Sequence, residues 1–338
     1  MKVIVDAMGG DHAPQAIVEG CALALHELPD MHITLVGRRD AILAELEKND
    51  YDEKRINIVD AAEVIDMAEP PVEAIRKKKN SSLVKGLELL RDGEGEVFIT
   101  AGSTGATIAG ATLIVKRLPG VKRPALAPML PTKAGTKALL IDCGANAECR
   151  PSYLAQFALM GSIYMEKVEG VKTPRVGLIN NGSEAEKGNE LTKAAYKLIQ
   201  TMPVNFVGNA EGRDLVSGEY DVLVCDGFTG NVVLKYTEGL ADALLSMLKK
   251  ELKATMRTKV GAAVAMPAFK RFKKEMDYTE YGGALLLGVR GGVVKAHGSS
   301  NAKAIKSTLR QAAGFIGGDV VNVIKQEISK VALDDEND

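Results

Sequence analysis

Short apolar runs rich in β-branched residues punctuate the chain. Each is followed by a polar, glycine-bearing loop and then by a longer stretch with helical spacing of its apolar residues. The first run, Val3 to Val5, predicts a buried strand. It opens "VIVDAMGGDHAPQAIVEG", in which Asp6 ends the apolar run and Gly9 and Gly10 permit a positive φ or a close backbone approach. Pro14 suits the first turn of the helix that follows. Asp6, Asp11 and His12 then stand at the C-terminal mouth of a strand, where open α/β sheets bind ligands.

The same order recurs. "EVFITAGSTGATIAGATLIV" reads as strand, Gly/Ser/Thr turn and helix, and "KALLIDCGANAECRPSYLAQFALMGSIYM" as strand, loop and a helix opened near Pro151. "RVGLINNGSEAEKGNELTKAAYKLI", "YDVLVCDGFTGNVVLKYTEGLADALLSML" and "GGVVKAHGSSNAKAIKSTLRQAAGFI" repeat it. No long sequence repeat accompanies these units, so a solenoid is not indicated. Strands alternating with helices predict a three-layer α/β/α sandwich.

Loops of Gly, Ser, Thr, Asn and Asp are ordinary turn and cap chemistry. Converging on one side of a sheet, the same loops would offer backbone N–H groups and helix N-termini to a phosphate-sized anion. Nucleotide fingerprints are missing: there is no GxxxxGK[ST], and "DAMGGD" lacks the GxGxxG spacing. The four histidines show no metal-ligand spacing. Asp6, Asp11, Asp142 and Asp226 could hold a divalent ion only if the fold gathers them; otherwise they accept local hydrogen bonds.

In "NNGSEAEKGNELTKAA", Ser183 and Glu186 have capping-box spacing. Lys187 in a first helical turn is electrostatically unfavourable unless Glu184 or a bound phosphate offsets it. Gly188 offers the other reading, a loop through Lys187 and a helix starting near Asn189. Asn231 and Lys235, four apart at the start of an amphipathic helix, face either the cleft or solvent. Cys143 and Cys225 each adjoin a strand-end aspartate, and buried inert thiols are the ordinary reading of such cysteines.

Composition narrows the picture. A formal net charge of −1 over 338 residues creates no global field for nucleic acid, and aromatics at 4% with no Trp argue against base-stacking platforms. Four dispersed cysteines suit a reducing cytoplasm, and an immediate strand suggests no signal peptide. No uncharged apolar run reaches the ~20 residues needed to span a bilayer.

One segment departs from this neutrality. Between Lys249 and Lys274 nine Lys/Arg face a single acidic residue, a local net of +8, around the uncharged run "VGAAVAMPAF" from Val260 to Phe269. Pro267 predicts two helices joined by an apolar hinge. Val260, Val264, Met266 and Phe269 would enter an anionic membrane surface while Lys270 and Arg271 reach head groups. Packing against a second copy, or docking an acidic protein, would use the same pattern.

"VDAMGGDHAP", "TAGSTGAT", "LIDCGAN", "LINNGSEAEKGNE", "CDGFTGNVVLK" and "YGGALLLG…HGSSN", in that order, resemble the PlsX family of bacterial phosphate acyltransferases from Met1 to about Ile324. The resemblance implies a fold related to the phosphotransacetylase and isopropylmalate dehydrogenase group. It implies transfer of a long-chain acyl group from acyl carrier protein to inorganic phosphate, without nicotinamide, metal or other cofactor. It also implies a homodimer on the cytoplasmic membrane surface, whose acyl phosphate feeds a membrane glycerol-3-phosphate acyltransferase. A phosphotransacetylase acting on coenzyme A thioesters, a decarboxylating dehydrogenase and a non-enzymatic membrane scaffold are the competing classes.

Residue type and strand-end position nominate Gly9, Gly10, Ser103, Thr104, Gly105, Asn146, Asn180 and Gly227 for the phosphate cradle. His12, Lys187 and Asn231 are the catalytic candidates, and Asp6, Asp142, Glu184 and Asp226 the orienting carboxylates. Residues 1–330 are expected to form one domain with a helical pair protruding at about 246–276, before an acidic tail at 331–338.

Overall fold

The computed structural model describes residues 1–276 and 282–331. All but the first residue of the acidic tail lies outside the described residues. Strands β1 (Lys2–Asp6), β2 (His32–Gly37), β3 (Ile56–Asp60), β4 (Val97–Thr100) and β5 (Ala125–Ala127) belong to a first sheet. A second contains β6 (Met129–Pro131), β7 (Lys137–Ile141), β8 (Arg175–Asn180), β9 (Asn205–Glu211) and β10 (Val222–Val224). The late strands β11 (Ala284–Leu287) and β12 (Gly292–Lys295) return to the first sheet, whose order is β3-β2-β1-β4-β12-β11-β5. The second runs β6-β7-β10-β8-β9. Both are parallel except where β5, β6 and β11 pair antiparallel with their neighbours.

The helices are α1 (Gln15–Glu27), α2 (Arg39–Leu46), α3 (Pro71–Lys77), α4 (Ser82–Arg91), α5 (Thr104–Gly110), α6 (Pro151–Lys167), α7 (Glu190–Ile199), α8 (Gly227–Leu252), α9 (Met256–Met276), α10 (Ala302–Gly317) and α11 (Val320–Ile328). Successive strand residues face opposite layers, as the pleat requires. Val3, Val5, Val97 and Ile99 pack with Ile17 and Leu25 of α1 and with Ile305 and Leu309 of α10. Ile4 and Phe98 pack on the other side with Leu83, Val84 and Leu87 of α4. The first of these clusters continues through α6 to Leu139 and Ile141 of β7, so one hydrophobic core joins the two sheets. The α/β/α class read from the sequence therefore holds, with the sheet divided in two.

The protruding segment differs from its expectation. Pro267 lies inside α9, and the break falls instead between Leu252 and Met256. Thr255 and Thr258 exchange hydrogen bonds there: each backbone N–H donates to the other's hydroxyl at 3.1 Å. Those two threonines start a helix by satisfying its orphan donors, so the turn is polar and the run 260–269 is helical. No described helix is long and apolar enough to cross a membrane.

Candidate active site

The loops after β1, β4 and β12 meet at the C-terminal edge of adjacent strands. Asp6 is buried and accepts from the Thr100 hydroxyl at 2.7 Å and the Met8 N–H at 3.0 Å. The Thr100 hydroxyl in turn accepts from the Gly102 N–H at 2.9 Å. Burial raises the Asp6 carboxyl above its ordinary value, and these hydrogen bonds oppose the rise. The glycine pair serves the same junction. A Cβ on Gly9 would lie 2.6 Å from the Gly102 nitrogen, and Gly10, at φ +101°, lets the Asp11 N–H donate to the Gly298 carbonyl at 2.8 Å. These two glycines let three loops pack backbone to backbone.

Ser103 caps α5 by accepting from the Ala106 N–H, and Thr104 begins that helix beside Gly105.

In the second sheet Asp142 plays the part of Asp6 on a larger scale. Its buried carboxylate accepts from the N–H groups of Leu126, Cys143, Ala145 and Asn146 and from the Asn146 side-chain amide. Burial again pushes this carboxyl up against that set of donors. Asn146 gives its amide to Asp142 and to the Pro124 carbonyl, and its own carbonyl accepts from the Gly227 N–H at 2.7 Å. Asp226 caps α8, accepting from the Thr229 N–H at 2.8 Å and the Thr229 hydroxyl at 2.7 Å. These hydrogen bonds tie the loop after β7 to the start of α8. Among the described residues no three His, Cys, Asp or Glu side chains gather in metal-binding geometry.

Between the sheets lies a cavity of about 130 Å³ lined by Thr104, Cys143, Asn231, Lys235, Lys295 and His297, among others. Lys295 ends β12 and is only 7% exposed. Its Nζ donates to the carbonyls of Ala101, at 3.2 Å, and Ala296, leaving one of its three N–H groups for a ligand. Burial pushes this ammonium down to about 8, while the charges of Asp6 and Asp11 oppose the fall. Burial also pushes His297 below its ordinary value, which favours the neutral ring at pH 7. His297 Nδ1 lies 2.8 Å from the Ser299 hydroxyl and 3.2 Å from the Ser299 backbone nitrogen. Lys235 pairs with Glu238, which also lines the cavity, at 3.0 Å. The Cys143 thiol donates to the Gly230 carbonyl, and burial raises it far above the ordinary thiol value, so it is no thiolate.

Of the nominated residues, Thr104 and Asn231 reach this cavity. His12 is exposed on the turn before α1 and does not line it; His297 does. Asn180 and Asp226 line a different hollow of about 360 Å³, with Gly188, Asn189 and Thr229. Lys187 and Glu184 are exposed on the loop above, where Asn180 donates to the Lys187 carbonyl at 3.2 Å. That loop is not helical. Gly188 sits at φ +97°, and α7 begins at Glu190 with Asn189 as its cap, so Ser183 and Glu186 form no capping box. Val260, Val264 and Met266 are exposed on α9 with Lys270 and Arg271, and Met266 together with the half-buried Phe269 also lines a hollow between α8 and α9.

Lys295 and His297 escaped the sequence reading, although "GGVVKAHGSSN" carries a usable sign. A lysine closing a fully apolar strand with no polar alternation is a candidate buried cation.

Residues 1–323 match the family described as Fatty acid synthesis protein. A phosphate acyltransferase of Clostridium novyi is 52% identical over 330 residues, covering 98% of this chain and 99% of that one. One of Clostridium botulinum is 54% identical over 314 residues, covering 92% and 93%. Among solved structures, a phosphotransacetylase from Streptococcus pyogenes superposes with a TM-score of 0.61 at 17% identity, covering 95% of this chain and 94% of that one. A branched-chain phosphotransacylase from Enterococcus faecalis gives 0.56 at 14% identity, covering 93% and 98%. At such identities the structural likeness concerns the fold alone. Matched along nearly its whole length, the chain belongs to the fatty acid synthesis protein family, among its phosphate acyltransferases.

Proposed function

We propose that the protein transfers a long-chain fatty acyl group from acyl carrier protein to inorganic phosphate, giving an acyl phosphate for phosphatidic acid synthesis. The observation that carries this reading is the small cavity where Lys235, Lys295, Asn231 and Thr104 converge beside a cysteine that is not ionised. An anion fits the lysines, and the protonated thiol leaves phosphate itself as the nucleophile.

A phosphate oxygen attacks the thioester carbonyl, a C–O bond forms and the C–S bond breaks. The proton of monohydrogen phosphate ends on the departing sulfur. The protein's part is to fix the two reactants together and to stabilise charge on the carbonyl oxygen. Lys295 and Lys235 hold phosphate, Asn231 and Thr104 supply neutral donors, and His297 lines the same cavity. Gly9, Gly10, Asp6 and Asp142 act one step away by holding the loops in register. Lys187 and His12 lie outside this cavity and have no assigned step.

Two surfaces suit the remaining partners. Phe228, Val232, Tyr236, Leu240 and Leu244 recur every four residues as an exposed apolar stripe on α8, with Tyr236 67% exposed. A second copy of the chain would cover that stripe. Val260 and Val264, flanked by the basic residues of α9, suit an anionic membrane surface at the cytoplasmic face, from which a glycerol-3-phosphate acyltransferase would take the product. The same basic residues would steer an acidic carrier protein.

The test is incubation with palmitoyl carrier protein or palmitoyl-coenzyme A, with and without phosphate, trapping acyl phosphate with hydroxylamine. Phosphate-dependent hydroxamate from the carrier-protein thioester is expected. Product from coenzyme A alone would favour a phosphotransacetylase, and no product from either would overturn acyl transfer.

A further inference from the structure

The acyl-transfer reading leaves the fatty chain without a place, because about 130 Å³ is well below the ~300–1,000 Å³ of pockets that enclose a drug-sized ligand. A second hollow, about 590 Å³, lies between α8 and α9. We propose that this interhelical slot holds the acyl chain of the substrate while its thioester sits in the polar cavity.

One face of α8 joins the two. Asn231, Leu234, Lys235 and Glu238 line the polar cavity, and Asp242, Leu245, Lys249 and Leu252 continue at steps of three or four residues to line the slot. Glu238 and Asp242, the last of one set and the first of the other, are a single helical turn apart. From Glu238 to Leu252 the axial rise is about 21 Å at ~1.5 Å per residue. A sixteen-carbon chain with C–C bonds of ~1.5 Å, zig-zagging, extends about 20 Å.

The lining is chemically suited to methylenes. Leu245 and Leu252 face Ala262, Ala263, Met266 and Phe269 of α9, and the two alanines leave the hollow open. Lys249, Lys253 and Lys259 border it with aliphatic stems. The exposed apolar stripe through Tyr236, Leu240 and Leu244 lies on another face of α8 and offers a second copy of the chain a separate surface.

The experiment measures kcat/KM for carrier-protein thioesters of eight to eighteen carbons. For the unaltered protein it should rise by up to about fourfold per added methylene until the slot is filled, then level off. Ala262→Phe, which fills the slot, should lower the palmitoyl-to-octanoyl ratio at least tenfold and weaken binding of a sixteen-carbon fluorescent fatty acid by a similar factor. Leu245→Phe on the facing helix provides the same test if Ala262→Phe does not fold. Unchanged ratio and fatty-acid binding would overturn the proposal. So would a ratio that changes only with vesicles present, which assigns the slot to a lipid surface, or loss of dimer with the ratio retained, which assigns it to a second copy. Fatty-acid binding that weakens as expected in a protein that consumes no thioester would leave the slot standing and sink the acyl-transfer reading instead.

Discussion

Lys295 donates from Nζ to the carbonyl of Ala101 at 3.2 Å, tying the end of β12 to the turn that follows β4. The contact aims a buried ammonium into the cavity shared by both sheets. Replacing the group by Lys295→Met should lower kcat/KM for phosphate by ~10²-fold or more, the scale of losing one preorganised donor. Steady-state kinetics at varied phosphate measures this.

The same lysine sets a pH dependence. Its folded value is pushed down to about 8 from 10.5, so kcat/KM for phosphate should fall as pH rises through about 8. Lys295→Arg, with a permanently charged head, should abolish that fall even at a lower overall rate. Stability should move the other way. Between about 8 and 10.5 the unfolded chain binds the extra proton, so this group makes the fold more stable as pH rises, and denaturant midpoints across that window read it.

Gly9→Ala should loosen the junction of the first three loops, because its Cβ would come within 2.6 Å of the Gly102 nitrogen. A cost of about 1–3 kcal/mol and a loss of activity in the folded fraction are expected. Gly212→Ala is the control. Nothing stands within 4 Å of its Cβ, and its stability should stay within ~0.5 kcal/mol of the parent in urea denaturation.

Asp142→Ala would strand the buried N–H groups that converge on that carboxylate, four from the backbone. A destabilisation of roughly 3–5 kcal/mol is expected, and Asp142→Asn, which keeps one acceptor oxygen, should cost less. Urea midpoints of the two variants give the comparison.

Val264 is 80% exposed on α9. Val264→Asp should weaken co-sedimentation with anionic vesicles about tenfold by removing an apolar contact and adding a repelled charge, with carrier-protein kinetics in vesicle-free buffer as the second readout. Unchanged vesicle binding would remove α9 from membrane contact.

How much of the site was legible depends on how local each cause is. Asp226 and Asn189 announce themselves as caps because a short polar side chain before an apolar helix has nearby donors to satisfy. Thr255 and Thr258 are an equally local start signal that escaped the sequence reading, and Pro267 lies inside the helix they open. Asn146 read as a free amide, yet it is spent on Pro124, 22 positions away in the chain, which no spacing rule reports.

The sequence by itself determined the alternation of strands and helices, the loops at strand ends and the basic, apolar arm, since each follows from the period and type of neighbouring residues. Tertiary structure alone decided that the sheet divides in two, that Lys295 and His297 rather than Lys187 and His12 meet Asn231, and that one face of α8 serves two cavities. Those outcomes depend on contacts between residues far apart in the chain, and a side chain's role there is set by what burial places around it.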